Sequence, residues 1–280
     1  MSYPLAIVAM DMLIAGESGL AHLDQAIYDG QSLVKTDSII TADEFVVFVN
    51  SLMKSGISEN FQLSLQKVDL YLLGDKSQYA GMFLNASGEG FNSVVVVDSL
   101  EMALAAASER LSLNQSEGVV IAAMHNETSS GTSDVADDES PLTTLLFDNS
   151  VSEGQAYPET QGAAAIALMQ KGFPKEMPHA TILSSASDGD VSLACAKSLE
   201  QAGVESGEIE LIDCVSTIDS TNNFSRADSV ERELVGLAEV YGQGSKNLDC
   251  ALGSINTLVG QCGHVAGTYT HMKRTTKRKG

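Results

Sequence analysis

The side chains that could act as nucleophiles or bases are few in this sequence and lie far apart. The four cysteines form no CxxC pair and the five histidines form no HExxH motif, so their spacing does not fit a zinc site. Two arrangements could still perform acyl chemistry. Either Ser99 or Cys262 could attack an acyl group if His264 accepted its proton, which would make the protein an acyl hydrolase or acyltransferase.

The same residues also have structural interpretations. Asp98 and Ser99 stand before an apolar helical pattern, where Asp98 is expected to be the N-cap. His264 could satisfy a helix terminus, and the apolar surroundings of Cys195 and Cys214 are typical of small buried side chains. The segment 88–90 (GEG) is too short for a phosphate-binding loop, so no cofactor and no metal are expected.

Composition narrows the classes of partner. The chain has 280 residues, of which 16 are Lys or Arg and 37 are Asp or Glu, giving a net charge of -21. Such a polyanion repels nucleic acid and anionic lipid, so neither is expected as a partner. The apolar run at residues 5–10 is too short for a signal peptide or a membrane span. We therefore expect a soluble, cytoplasmic protein.

The first part of the chain reads as alternating strands and helices. Continuous apolar runs predict buried strands, and apolar residues at helical spacing predict helices. The strands are expected at 5–10, 68–73, 91–97 and 118–124, and the helices at 20–30, 46–53 and 100–111. The strand–helix–strand unit at 92–124 favours a crossover connection and a parallel sheet.

The second part continues in the same style after an exposed loop predicted at 127–139. Strands predicted at 163–169 and 180–185 are expected to pair with each other in antiparallel fashion. A helix at 192–202 should end at Gly203. A strand at 209–215, a helix at 230–240 and a short strand at 252–255 complete the pattern, which is α/β.

Several segments together carry a resemblance to a known family. The succession of 202–213, 230–240 and 252–261, with Gly253, Ser254 and Gly260 in register, resembles the C-terminal half of a β-ketoacyl synthase. Residues 99–107, 118–124 and 162–169 resemble matching parts of its first half. The resemblance implies a thiolase-like layered fold, shortened relative to the family. The domain would span 1–272, with two related halves of about 1–160 and 161–272, and 273–280 would be a basic linker or tail.

The positions that carry the family's chemistry differ here. The resemblance places the nucleophilic cysteine at Val96, the two histidines at Val215 and Gln261, and the lysine at Asn256. Valine can neither attack a thioester nor accept a proton, and glutamine does not titrate. The resemblance therefore implies a degenerate, catalytically inactive domain without the Cys-His-His triad.

The opening of the chain, at 6–11 and 23–30, resembles the pseudo-ketosynthase region that begins the B subunit of bacterial polyunsaturated fatty acid synthases. That resemblance implies an interaction domain in an iterative, polyketide-type synthase, organising an acyltransferase domain in the same polypeptide. An acyl carrier protein or a ketosynthase-type subunit could be a further partner, and a dimer is possible. The alternative within the binding class is a chain-length-factor-like partner with an apolar tunnel near Val96 and Val215.

Overall fold

The computed structural model describes residues 4–14, 17–18, 25, 39–54, 64–83, 90–126, 161–170, 178–214, 226–242 and 250–253. We label the strands β1 to β9 and the longer helices α1 to α4 in chain order. The strands are β1 (Leu5–Ile14), β2 (Glu17–Ser18), β3 (Val68–Leu73), β4 (Ser93–Val97), β5 (Gly118–His125), β6 (Gly162–Gln170), β7 (Ala180–Ile182), β8 (Leu211–Asp213) and β9 (Ala251–Gly253). The helices are α1 (Ala42–Leu52), α2 (Leu100–Ser112), α3 (Val191–Ala202) and α4 (Arg226–Tyr241).

The main sheet has the strand order β2-β1-β6-β5-β3-β4, with β7 beside β1. Strand β3 runs parallel to both β4 and β5. Helix α2 forms the crossover connection from β4 to β5, so these two strands run in the same direction. Strand β6 is antiparallel to both of its neighbours, β5 and β1. The predicted parallel sheet is therefore confirmed for three strands, and the sheet as a whole is mixed.

The predicted pairing of the strands at 163–169 and 180–185 is wrong. Both strands exist, but each pairs with β1 instead of with the other. Leu5 lies opposite Gln170 on one side and opposite Ile182 on the other. Strand β1 is buried along most of its length and offers two free edges, and the two later strands occupy one edge each.

One helix covers each face of this sheet. Helix α1 buries Phe45, Phe48, Val49 and Leu52 against one face, and α2 buries Ala103, Leu104, Ala107 and Leu111 against the other. Strands β3, β5 and β6 are consequently buried on both sides, which accounts for their continuous apolar sequences. The layers are helix, sheet and helix.

The N-cap of α2 is Ser99 and not Asp98, which corrects the sequence-based expectation. The Ser99 backbone is extended, with φ of -147° and ψ of 155°, and its hydroxyl accepts a hydrogen bond from the Met102 amide at 3.2 Å. An N-cap side chain accepts from the amide two or three residues later, which Ser99 does and Asp98, four residues before Met102, cannot do. Asp98 lies one residue too early and is exposed.

The second part of the described chain forms a smaller unit. Strands β8 and β9 are parallel, and their core comprises Ile212, Cys214 and Leu237. Of the predicted segments 209–215 and 252–255, the strands cover 211–213 and 252–253, and residues 215, 254 and 255 lie outside the described residues. Helix α3 ends at Gly203, which adopts a left-handed φ of 65° as predicted. The helix predicted at 20–30 is described only at Gln25, and the loop at 127–139 and the tail at 273–280 lie outside the described residues.

Candidate functional site

The structure describes one of the four positions at which the family's chemistry would be expected. Val96 lies in β4 opposite Leu72 and is half-buried. Its side chain packs against the buried cluster that includes Phe45 and Phe48 of α1, on the face of the sheet opposite to α2. The positions Val215, Asn256 and Gln261, and the alternative pair Cys262 and His264, lie outside the described residues. The convergence of the Val96, Val215 and Gln261 side chains in one pocket stays a prediction.

The turn between β4 and α2 is the place where a nucleophile would meet a helix N-terminus. The strand ends at Val97 and the helix begins at Leu100, so the turn comprises Asp98 and Ser99. Val96 therefore lies inside the strand rather than at the turn. The Ser99 hydroxyl is engaged as the N-cap, and the Ala103 amide donates to the Ser99 carbonyl at 3.1 Å in the same first turn of α2. The residues from Val96 to Ser99 include no thiol.

The carboxyl ends of β4, β3 and β5 meet at one edge of the sheet. The connection after β3 leaves toward the α1 face, since its Tyr79 packs in the cluster on that face. The connection after β4 is α2, which covers the other face. Connections that leave to opposite faces open a crevice between the strand ends, and open α/β sheets bind their ligands in such crevices. This edge is the expected position of a site.

Residues 74–83 fill this edge, and we call them the plug. The Gly74 amide donates to the Val97 carbonyl at 3.0 Å. The Tyr79 hydroxyl donates to the Leu73 carbonyl at 2.7 Å and accepts from the Met124 amide at 3.1 Å. The side-chain amide of Gln78 donates to the backbone carbonyl of Met124 at 2.6 Å. Burial raises the pKa of the Tyr79 phenol to about 12, so the hydroxyl keeps its proton.

Aromatic side chains hold the plug against α1. The ring of Phe45 lies 5.8 Å from that of Tyr79 and 6.1 Å from that of Phe83, and Phe83 meets Phe91 edge-on at 6.2 Å. These distances are typical of favourable aromatic pairs. The sequence pattern predicted only a turn after β3. No local signal distinguishes a turn that folds back onto the sheet from one that projects into solvent.

The amino ends of the same strands hold a buried carboxylate that sequence analysis missed. Asp69 in β3 is fully buried and accepts hydrogen bonds from Asn92 at 2.8 Å, from Ser93 at 2.6 Å and from Arg110 of α2. Burial alone would raise the pKa of this carboxyl, but the three donors outweigh it and the pKa lies below its usual range. The donors belong to β4, to the residue before it and to α2. Asp69 therefore positions α2 on the sheet.

The cysteines in the described residues are not prepared for nucleophilic attack. Among the described residues, Cys195, Cys214 and Cys250 form no disulfide and lie around the small second core. Burial raises the pKa of the Cys195 thiol and raises that of Cys214 to about 12. A protonated thiol is a poor nucleophile. In the described part of the chain, no three His, Cys, Asp or Glu side chains are grouped to hold a metal ion.

No protein-family model matches the sequence, and no curated protein is significantly similar to it. Solved structures do resemble it. An oxazolomycin ketosynthase domain from Streptomyces albus superposes with a TM-score of 0.70 at 16% identity, over 98% of this chain and 79% of the other. The ketosynthase from module 6 of the Bacillus subtilis bacillaene synthase gives a TM-score of 0.69 at 13% identity, over 98% and 60%. The PfaC ketosynthase–chain length factor gives 0.69 at 13%, over 98% and 40%.

The chain has a ketosynthase fold. The predicted thiolase-like α/β architecture is thereby confirmed, in a form shortened to 280 residues. The chain spans 60% of the length of the Bacillus subtilis ketosynthase and 40% of the length of the PfaC chain. No helix in the described residues of this ketosynthase fold is long and apolar enough to cross a membrane.

Proposed function

We propose that this ketosynthase fold is a catalytically inactive scaffold in an iterative, polyketide-type synthase of polyunsaturated fatty acids. It corresponds in this proposal to the pseudo-ketosynthase region of the B subunit, where it organises a neighbouring acyltransferase domain. The likeness of the fold to polyketide ketosynthases and to PfaC supports the class of assembly. The resemblance of the opening residues, at 6–11 and 23–30, supports the subunit.

The observation that carries the proposal is the composition of the turn before α2. A ketosynthase needs a thiolate there, because the helix N-terminus lowers the thiol pKa and lets it accept an acyl group from a thioester. The turn here consists of Asp98 and Ser99, and Ser99 is engaged as a cap. The first cysteine of the whole sequence is Cys195. Val215 and Gln261, at the positions of the two histidines, could not supply a base.

A direct test is incubation of the purified chain with acyl and malonyl thioesters. We expect no covalent adduct in the intact mass and no release of carbon dioxide above a protein-free control. Ser99→Ala and Cys262→Ala variants should give the same null result, because neither side chain is proposed to react. Formation of a carbon–carbon bond by the wild-type chain would overturn the proposal.

The organising role requires a second experiment. The chain should bind an acyltransferase domain from a polyunsaturated fatty acid synthase, and the complex should sediment as a single species. An active ketosynthase domain of known structure serves as the matched control with the same fold. An acyl carrier protein and a ketosynthase-type subunit are tested in parallel as further partners. Absence of binding to the acyltransferase, with the protein folded, would contradict the organising role.

A chain-length-factor-like function is the second candidate, and the likeness to the PfaC ketosynthase–chain length factor favours it. It requires an apolar tunnel near Val96 and Val215. Of these two residues only Val96 is described, and it packs against the buried cluster that includes Phe45 and Tyr79. Saturable binding of a long-chain fatty acid by the wild-type chain would support this candidate over the scaffold.

The third candidate is an acyl hydrolase or acyltransferase that uses Ser99 or Cys262 with His264. It predicts labelling of the chain by a serine- or thiol-directed acyl probe, abolished by His264→Ala. The engagement of the Ser99 hydroxyl with the Met102 amide disfavours Ser99 as the nucleophile. A His264-dependent label on Ser99 or Cys262 would establish this candidate and displace the scaffold.

A further inference from the structure

We propose that residues 74–83 act as a built-in plug that occupies the ligand crevice at the carboxyl ends of β4, β3 and β5 and so keeps an acyl chain out of this edge of the sheet. The inference deepens the proposed function and rests on it, because it adds the loss of ligand binding to the loss of chemistry. Its occupant is a segment of this chain itself.

The first argument is the hydrogen bonding of the strand ends. Strand ends leave backbone groups without ladder partners, and turns, side chains, water or a bound ligand satisfy them. Here one segment satisfies all three strands. The Gly74 amide donates to the Val97 carbonyl of β4, and the Tyr79 hydroxyl donates to the Leu73 carbonyl of β3. In β5, the Met124 carbonyl accepts from the Gln78 side chain, and the Met124 amide donates to the Tyr79 hydroxyl.

The second argument is the packing beneath these hydrogen bonds. The chain is poor in aromatic residues, yet four of its eight phenylalanines and one of its seven tyrosines meet here: Phe45, Phe48, Phe83, Phe91 and Tyr79. Tyr79 is 5% exposed. Val96 borders the same cluster. The apolar volume that an acyl chain would use next to Val96 is therefore occupied by side chains.

The third argument is the backbone of the plug at its first residue. Gly74 has a φ of +130°, a conformation that side chains with a Cβ rarely adopt. A Cβ on Gly74 would lie 2.9 Å from the Gln78 side chain. The sharp turn at Gly74 directs the chain back across the strand ends immediately, so the plug depends on a glycine at this position.

Removal of the two anchoring side chains tests the inference. The variant Gln78→Ala/Tyr79→Ala is compared with the wild type and with Ser77→Ala, which changes an exposed side chain of the same turn. The probe is a fluorescent C11 fatty acid whose emission changes in an apolar site. We expect no saturable binding by the wild type or Ser77→Ala, and saturable binding by the double variant with a Kd at least about tenfold below the highest probe concentration tested. Displacement by unlabelled fatty acid should follow.

Saturable binding by the wild type that the double variant does not improve would overturn the inference. So would a folded double variant that fails to bind. Hydrogen exchange in the wild type keeps the test decisive if the double variant does not fold. The Gly74 and Met124 amides should exchange more slowly than the Ser77 amide, whose acceptor is the exposed carboxylate of Asp75. Equal rates would refute the plug. The thioester assay tests the proposed function separately. Turnover of a thioester would overturn the inactive scaffold, whereas the fatty acid assay tests the plug.

Discussion

At the scale of single residues, the most consequential side chain that sequence analysis missed is Asp69. A buried carboxylate is costly unless donors surround it, and here Asn92, Ser93 and Arg110 all bond to it. The three donors come from β4, from the residue before it, and from α2. One carboxylate thus fixes the position of the helix whose first turn holds Ser99.

We expect Asp69→Asn to lower the free energy of unfolding by about 2 to 3 kcal/mol, because Arg110 loses its counter-charge. The control is Asp188→Asn, which removes an exposed ion pair with Lys197 and should cost less than about 1 kcal/mol. Urea unfolding measures both. The lowered pKa of Asp69 gives a stabilising contribution that is present above the ordinary Asp pKa of about 3.9 and is lost as the pH falls through the folded-state value. Equal costs for the two variants would contradict this role.

Tyr79 gives a prediction at alkaline pH. Its folded-state pKa of about 12 exceeds that of an unfolded tyrosine, so its contribution to stability is present below about pH 10 and is lost between about pH 10 and 12. Tyr79→Phe leaves the Leu73 carbonyl and the Met124 amide without this partner and should cost about 2 kcal/mol at pH 8. The difference between wild type and variant should then shrink at pH 11. A constant difference in chemical unfolding would show that the phenol does not titrate as inferred.

At the scale of elements, the N-terminus of α2 separates a capping role from a catalytic one. Ser99→Ala should lower the free energy of unfolding by about 1 kcal/mol, since the Met102 amide loses its acceptor. Asp98→Ala, one residue earlier, should cost only a few tenths of a kcal/mol through the helix dipole. Thermal unfolding of the two variants measures the contrast. A larger cost for Asp98→Ala would restore Asp98 as the cap.

At the scale of the whole molecule, β4 is the last strand on its side of the main sheet as far as the chain is described. In the described residues it pairs with β3 alone, and Val94 and Val95 are 37% and 39% exposed. The strand carries no charged residue that would discourage pairing with another chain. A twofold axis beside β4 would pair it with its copy in antiparallel fashion. A dimer of this chain is therefore expected to form at this edge despite the large net charge.

Sedimentation of the wild type should accordingly show a dimer, and Val95→Lys should give a monomer, because a lysine at the edge disfavours strand addition. The matched control is Val235→Lys, which places the same charge at an exposed valine of α4 and should leave the dimer intact. A monomeric wild type at high concentration would disprove the dimer. Dissociation by both variants would move the interface away from β4.

The sequence alone determined where most elements lie. The runs at 5–10, 68–73 and 118–124 became β1, β3 and β5, and the spacing at 46–53 became part of α1. These predictions succeed because burial on both faces of a strand or on one face of a helix is written into neighbouring residues. The ketosynthase fold was expected from the resemblance of several segments, in their order, to that family.

Tertiary structure decided the pairing of β6 and β7 with β1, the burial of Asp69 against Arg110, and the path of residues 74–83 across the strand ends. These features depend on residues far apart in the chain. Asp69 and Arg110 are separated by 41 positions, and Tyr79 and Met124 by 45. A local pattern records which side chains avoid water, but contacts between distant segments determine what each buried side chain meets, and only the folded chain forms those contacts.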